Sequence, residues 1–220
     1  MRAVEKLLAS KRLLVHLSRD FKPVAMFQSF SPQDMVLADL IYSDLVHQEY
    51  AHIEMFTVDT GRLPDAVLYS IELIRQRYGD VLKLYYPNAL DLEYFDARYS
   101  LQRDDNINGN EVRLYKPLKR ALSHKKAWIT ASNIVNKTQR TDNRVSWDVE
   151  HQIPRFNPLA RWTTEEIWSY AKRHNLPIPG YLSDIQQHSD YLAKQISWWH
   201  VPEAGTTRGK NPWGSRRNIA

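Results

Sequence analysis

The sequence predicts an α/β fold: a parallel-rich twisted sheet flanked by helices on both faces, with an irregular C-terminal tail. Three observations lead there. Apolar runs at 24–27, 52–58 and 81–85 are too short for helices and read as buried strands. Between them lie segments whose apolar residues recur at helical spacing. Strand and helix then alternate over the first two thirds of the chain, the pattern of a parallel sheet covered on both sides.

The elements follow in order. Val4, Leu7, Leu8, Leu14 and Leu17 repeat at helical spacing with Lys and Arg between them, so residues 1–22 form an amphipathic helix lying on the rest. The strand at 24–27 leads into a helix over 32–50, marked by Met35, Val36, Leu40, Ile41 and Leu45. The strand at 52–58 leads into a helix over 64–78, closed by Gly79. After the strand at 81–85 come a short helix at 116–123 and strands at 127–130 and 144–149. Thr163-Thr164-Glu165-Glu166 is a capping box that opens a helix running through Lys172. Periodicity fades after Pro177. The expected organisation is therefore a helix at 1–22, an α/β domain at 23–176, and a wrapping segment with a basic tail at 177–220. No internal repeat is visible.

Composition narrows the function classes. The 220 residues are 43% hydrophobic and 25% charged, which excludes a disordered or low-complexity chain. No apolar run is long enough to span a bilayer, and the first eleven residues mix charges with leucines and read as no leader, so the expected compartment is the cytoplasm. The chain has no cysteine. Disulfides, thiolate zinc sites, Cys-ligated iron–sulfur clusters and a cysteine nucleophile are excluded together, and no cofactor is expected. The net charge is +5. Arg208, Lys210, Arg216 and Arg217 follow Glu203 without an acid, and Arg113, Lys116, Lys119, Arg120, Lys125 and Lys126 stand against Glu111. Such patches attract phosphate-bearing partners, and read equally well as solvated surface.

Two short motifs carry chemistry. Ser29-Phe30-Ser31-Pro32-Gln33-Asp34 joins the first strand to its helix. Ligands of open α/β sheets bind at the carboxyl ends of strands, and a helix N-terminus there suits phosphate or sulfate. The same residues also read as ordinary capping, with Ser31 at the N-cap, Pro32 at N1 and Asp34 at N3. Asp59-Thr60-Gly61-Arg62 ends the next strand; its carboxylate, hydroxyl and guanidinium suit a ribose and a phosphate, or simply make a turn. The histidines show no metal spacing; Asp184, His188 and Asp190 read as a surface polar cluster. There is no G-x-S-x-G. Trp198, Trp199 and Trp213 stand near basic residues and read as base-stacking or core aromatics alike.

Taken together, Ser29 to Leu37, Val58 to Leu63, Arg155-Phe156-Asn157-Pro158-Leu159 and Trp162 to Trp168 resemble the assimilatory sulfonucleotide reductases, the adenylyl-sulfate and phosphoadenylyl-sulfate reductases of the adenine nucleotide alpha hydrolase-like superfamily. The resemblance runs over residues 23–199. It implies a cytoplasmic, often oligomeric enzyme of sulfate assimilation that makes sulfite through a cysteine S-sulfonate released by thioredoxin. It also implies an adenine nucleotide or sulfonucleotide held by Ser29, Phe30, Ser31, Gln33, Asp34, Asp59, Thr60, Gly61, Arg62, Arg113 and Arg144.

The departures from the family fall in its chemistry. Ser31 stands where the family usually has glycine. Gly109-Asn110 replace a Cys-Cys pair ahead of Arg113 and Pro117-Leu118; no thiol lies at 184–187; Asn133-Ile134 replace an Arg-Arg pair, with Arg140 and Arg144 nearby; and 207–220 hold no match to the Cys-bearing end segment. The reductase step needs a polarisable thiolate to attack sulfur, and Ser215 cannot substitute. The expectation is a homologue that keeps nucleotide binding and lacks thiol-dependent reduction. Two alternatives stay open: a non-catalytic partner or regulatory subunit of a sulfur-assimilation enzyme, as homo-oligomer or hetero-complex, and a thiol-free nucleotide hydrolase or transferase with Mg²⁺ on Asp34 and Asp59. A membrane partner is not expected, and nucleic acid is the weakest candidate.

Overall fold

A computed structural model describes residues 3–43, 50, 52–61, 63–99, 111–131 and 144–178. Its centre is a six-stranded sheet in the order β3-β2-β1-β4-β6-β5, built from β1 (Val24–Phe27), β2 (Ile53–Val58), β3 (Leu82–Tyr85), β4 (Ala127–Ile129), β5 (Val145–Asp148) and β6 (Ile153–Phe156). All neighbouring strands run parallel except β5 and β6, which pair antiparallel with Val145 opposite Phe156. The predicted parallel-rich α/β class is the observed one.

The four residues of β1 are all buried, because the strand is central and has helices on both sides. Val24 and Met26 face one core, with α1 (Ala3–Asp20), α2 (Pro32–Tyr42), α3 (Asp65–Tyr78) and the helix Thr164–Arg173 contributing to it. Ala25 and Phe27 face the other, where Leu114, Leu118, Ala121 and Leu122 pack. A strand buried on both faces reads as a continuous apolar run instead of an alternation. That is why VAMF was recognisable in the sequence.

Helix α2 is shorter than the predicted 32–50. It closes at Ser43, whose hydroxyl bonds to the Asp39 carbonyl, and residues 44–49 lie outside the described ones. Three elements went unread: α4 (Ala89–Tyr99), a π-helical turn at Glu111–Tyr115 running into α5 (Lys116–Leu122), and β6. The last described helix, α6 (Thr164–Arg173), opens with the expected capping box. The Thr163 hydroxyl accepts from the Glu166 amide at 3.3 Å, and the Glu166 carboxylate accepts from the Thr163 amide at 2.8 Å.

Helix α1 lies on the domain, as its pattern predicts. Leu14 and Leu17 are buried. Lys6 Nζ pairs with Glu166 at 2.7 Å, the Ser10 hydroxyl donates to the Pro158 carbonyl at 2.7 Å, and Trp162 Nε1 donates to Ser10 Oγ at 3.1 Å. Most of the wrapping segment and the whole basic tail lie outside the described residues.

Candidate functional site

Strand β1 has β2 on one side and β4 on the other, so the strand order reverses there, and beyond the carboxyl ends of strands at such a switch point open α/β sheets form a ligand crevice. The segment Ser29–Ser31 forms one wall. Phe30 is buried and has φ 63°, a left-handed conformation that costs a bulky residue strain. Two contacts fix it: its ring lies in the core, and its amide donates to Gln28 Oε1 at 2.8 Å. Ser31 then turns extended and caps α2, accepting from the Asp34 amide at 3.2 Å.

Asp34 organises this wall. It has no solvent exposure. Its Oδ2 accepts from the Ser29 amide at 3.1 Å, from the Ser29 hydroxyl, and from the Ser31 hydroxyl at 3.1 Å. Its Oδ1 accepts from the Ala131 amide at 3.1 Å, beyond the end of β4. One carboxylate therefore ties the loop after β1 to the chain after β4, across the switch point. Burial pushes its carboxyl above the ordinary value, although every one of these donors pulls the other way. Ser29, Ser31 and Gln33 are partly exposed in front of it. Asp34 has no solvent exposure, so its part is to shape the loop.

The second motif lies at the end of β2. The Asp59 carboxylate accepts from the Gly61 amide at 2.8 Å, an Asx turn in which Gly61 takes φ 74°. Arg113 reaches over from the π-helical turn and donates to the Thr60 carbonyl at 3.2 Å. A Cβ on Gly61 would stand 3.8 Å from Arg113 Nη1, an ordinary van der Waals contact, so the positive φ alone is what calls for glycine there. Thr57 Oγ1 and Thr60 Oγ1 are buried with no hydrogen-bond partner among the described residues. Arg144 immediately precedes β5, and its carbonyl accepts from the Asn157 amide at 2.8 Å, at the carboxyl end of β6. Arg62 lies outside the described residues, as do Asp184, His188, Asp190 and the tail.

The structure thus brings Ser29, Phe30, Ser31, Gln33, Asp34, Asp59, Thr60, Gly61, Arg113 and Arg144 to one edge of the sheet. Sequence reasoning missed Gln28 and the Ala131 amide, since a backbone donor leaves no trace in residue type. It also missed a second buried cluster at the far end of α2. There Asp39 accepts from Arg77 Nη2 at 3.1 Å, Tyr78 at 3.0 Å and Tyr170 at 3.0 Å, with His174 Nδ1 at 3.6 Å. Arg77 donates as well to the His174 carbonyl at 2.8 Å. This cluster clamps α2, α3 and α6 together. Among the described residues no group of three metal-ligating side chains assembles, and no helix is long and apolar enough to cross a membrane.

Comparison with known proteins follows the same lines. The family model of the phosphoadenosine phosphosulfate reductase domain matches residues 23–183. An adenosine 5'-phosphosulfate reductase of Allochromatium vinosum is 31% identical over 175 residues, covering 77% of this chain and 66% of the relative. One of Burkholderia cepacia is 28% identical, covering 76% and 67%. The chain therefore spans about two thirds of the length of these relatives. A crystal structure of phosphoadenylyl-sulfate reductase from Candida auris, a phosphate complex, superimposes with a TM-score of 0.66 at 16% identity, covering 79% of this chain and 83% of that one. The fold is shared with that enzyme. By the extent of the domain match, this chain is a member of the phosphoadenosine phosphosulfate reductase family.

Proposed function

We propose that the chain binds an adenine nucleotide or sulfonucleotide in the crevice between the ends of β1 and β4, and that it does not perform thiol-dependent reduction. The observation that carries the binding half is the Ser29–Ser31 wall, capped onto α2 and braced from behind by Asp34. The N-terminus of an 11-residue helix offers a partial positive charge to a phosphate or sulfate, and the partly exposed hydroxyls of Ser29 and Ser31 become donors to it once they turn outward. Asp59, Thr60 and Gly61, with Arg113 behind them, line the ribose side, and Arg144 adds positive charge. Relatives named for phosphosulfate reduction and a neighbour crystallised with phosphate support this assignment.

The other half rests on the donor set. A thiolate is required to attack the sulfur of a phosphosulfate, forming an S-sulfonate and releasing the nucleotide; 220 residues without cysteine supply none. An iron–sulfur cluster does not fit the chain for the same reason. The lack of a thiol also favours a second reading, a nucleotide-binding subunit that serves a thiol-bearing enzyme of sulfate assimilation.

Calorimetry with adenylyl sulfate, phosphoadenylyl sulfate, AMP and ATP tests the proposal. At least one should bind, and Arg113→Ala should weaken it about tenfold, the size of one charge-assisted contact. Sulfite should not form with thioredoxin. Binding by none of the four would end the first half, and sulfite from the unmodified chain the second.

A further inference from the structure

We propose that Asp34 is a proton-linked positioning residue: an anionic phosphate or phosphosulfate bound at Ser29–Ser31 turns the two hydroxyls outward, and the carboxylate behind them takes up a proton from solvent. The inference rests on the reading of that loop as the anion site and adds how the site is regulated.

A serine hydroxyl carries one proton. Ser29 Oγ and Ser31 Oγ both lie within hydrogen-bond distance of the same oxygen, Asp34 Oδ2, and an ionised carboxylate can only accept. Both hydroxyl protons therefore point inward while Asp34 is ionised. What these oxygens present to the crevice is lone pairs, which repel an anion. To donate outward, the hydroxyls must rotate away from Oδ2.

That rotation has a consequence for Asp34. Oδ2 would keep only the Ser29 amide and Oδ1 only the Ala131 amide, at a place with no solvent contact. No lysine, arginine or histidine among the described residues is in ion-pair distance of it. A buried ionised carboxylate stripped of donors is strongly unfavourable. Taking up one proton at Oδ2 removes the charge, and the new O–H donates to a serine oxygen that has become an acceptor. One proton moves from solvent to Asp34, two hydroxyl protons change direction, and no bond between heavy atoms breaks. Burial already favours the neutral acid before any ligand arrives.

Other titratable groups occupy the elements packed nearby. Asp39 lies further along α2, bound to Arg77 and two tyrosines. His174 sits beside it at the end of α6, and Asp59 with Arg113 stands at the end of β2. Histidines as a class titrate near neutrality, so His174→Gln is the control.

The experiment is calorimetry of adenylyl sulfate binding to the whole chain between about pH 5 and about pH 9, in buffers of differing ionisation enthalpy. Adenylyl sulfate has no group titrating in this range, so any proton taken up belongs to the protein. Affinity should fall with rising pH, by up to about tenfold per unit where one proton is fully coupled, and the heat should depend on the buffer. Asp34→Asn, a neutral stand-in for the protonated acid, should bind with neither dependence, whereas His174→Gln should behave as wild type. Wild-type binding that is independent of both pH and buffer overturns the proposal, as does a pH slope that survives in Asp34→Asn. If that variant does not fold, the wild-type buffer series decides alone. Absence of adenylyl sulfate binding at every pH would overturn this proposal, and absence of binding by all four nucleotides would sink the assignment of the loop as an anion site with it.

Discussion

Helix α2 carries two carboxylates with no solvent exposure, one near each end, and the structure compensates them in opposite ways. Asp39, near the carboxyl end, is met by a guanidinium, two phenols and an imidazole drawn from α3 and α6. Asp34, in the first turn, is met only by neutral donors: two amides and two hydroxyls. The contacts around Asp39 weld three helices. A charge held by neutral donors can be discharged by a proton, and two of its donors face the crevice. The first arrangement suits scaffolding and the second suits a site that must respond to a ligand.

The contrast can be broken by removing each acid. Asp39→Asn should have the largest effect on stability, a loss of about 3 kcal/mol, since it leaves Arg77 without its charge partner. The loss is no larger because Arg77 keeps 32% of its side chain in water. Urea denaturation reads this directly, and a loss below about 1 kcal/mol would mean the clamp is dispensable.

Asp34→Asn should cost less, and its effect should change with pH. The folded-state acid titrates above its unfolded value. The contribution of Asp34 to stability is therefore fully present below about pH 4 and is lost in part as pH rises through the folded value, a loss the amide does not share. Denaturation midpoints of both proteins across a pH series should draw together or cross in the variant's favour with rising pH. A constant difference would show that the acid does not change state on folding.

The smallest effect sharpens the comparison from outside α2. Lys6→Met removes the pair with Glu166, whose side chains are 14% and 23% exposed, and should cost about 0.5 kcal/mol, less at high salt. A salt-independent loss would point to the packing of the lysine stem instead.

Much of this architecture was legible in the residues. Continuous apolar β1, the Thr163 to Glu166 capping box and Gly79, which takes φ 81° at the end of α3, each leave a local signature. What escaped had none. Helix α4 exposes Leu90 and Tyr94, at 74% and 65%, so its apolar residues do not mark a buried face. Strand β6 contains Pro154, which ordinarily argues against an interior strand, yet it pairs with β4 on one side and β5 on the other. At the site, Ser31 capping α2 through Asp34 was readable from spacing alone. The reach of the same carboxylate to Ala131 is a contact across 97 residues that no local pattern encodes.

That contact also determines how the crevice handles what enters it. Because one buried group grips both rims, the gap between them is set before any guest arrives. For the proposed ligand, the spacing between the Ser29 and Ala131 amides is thus a preset dimension of the site.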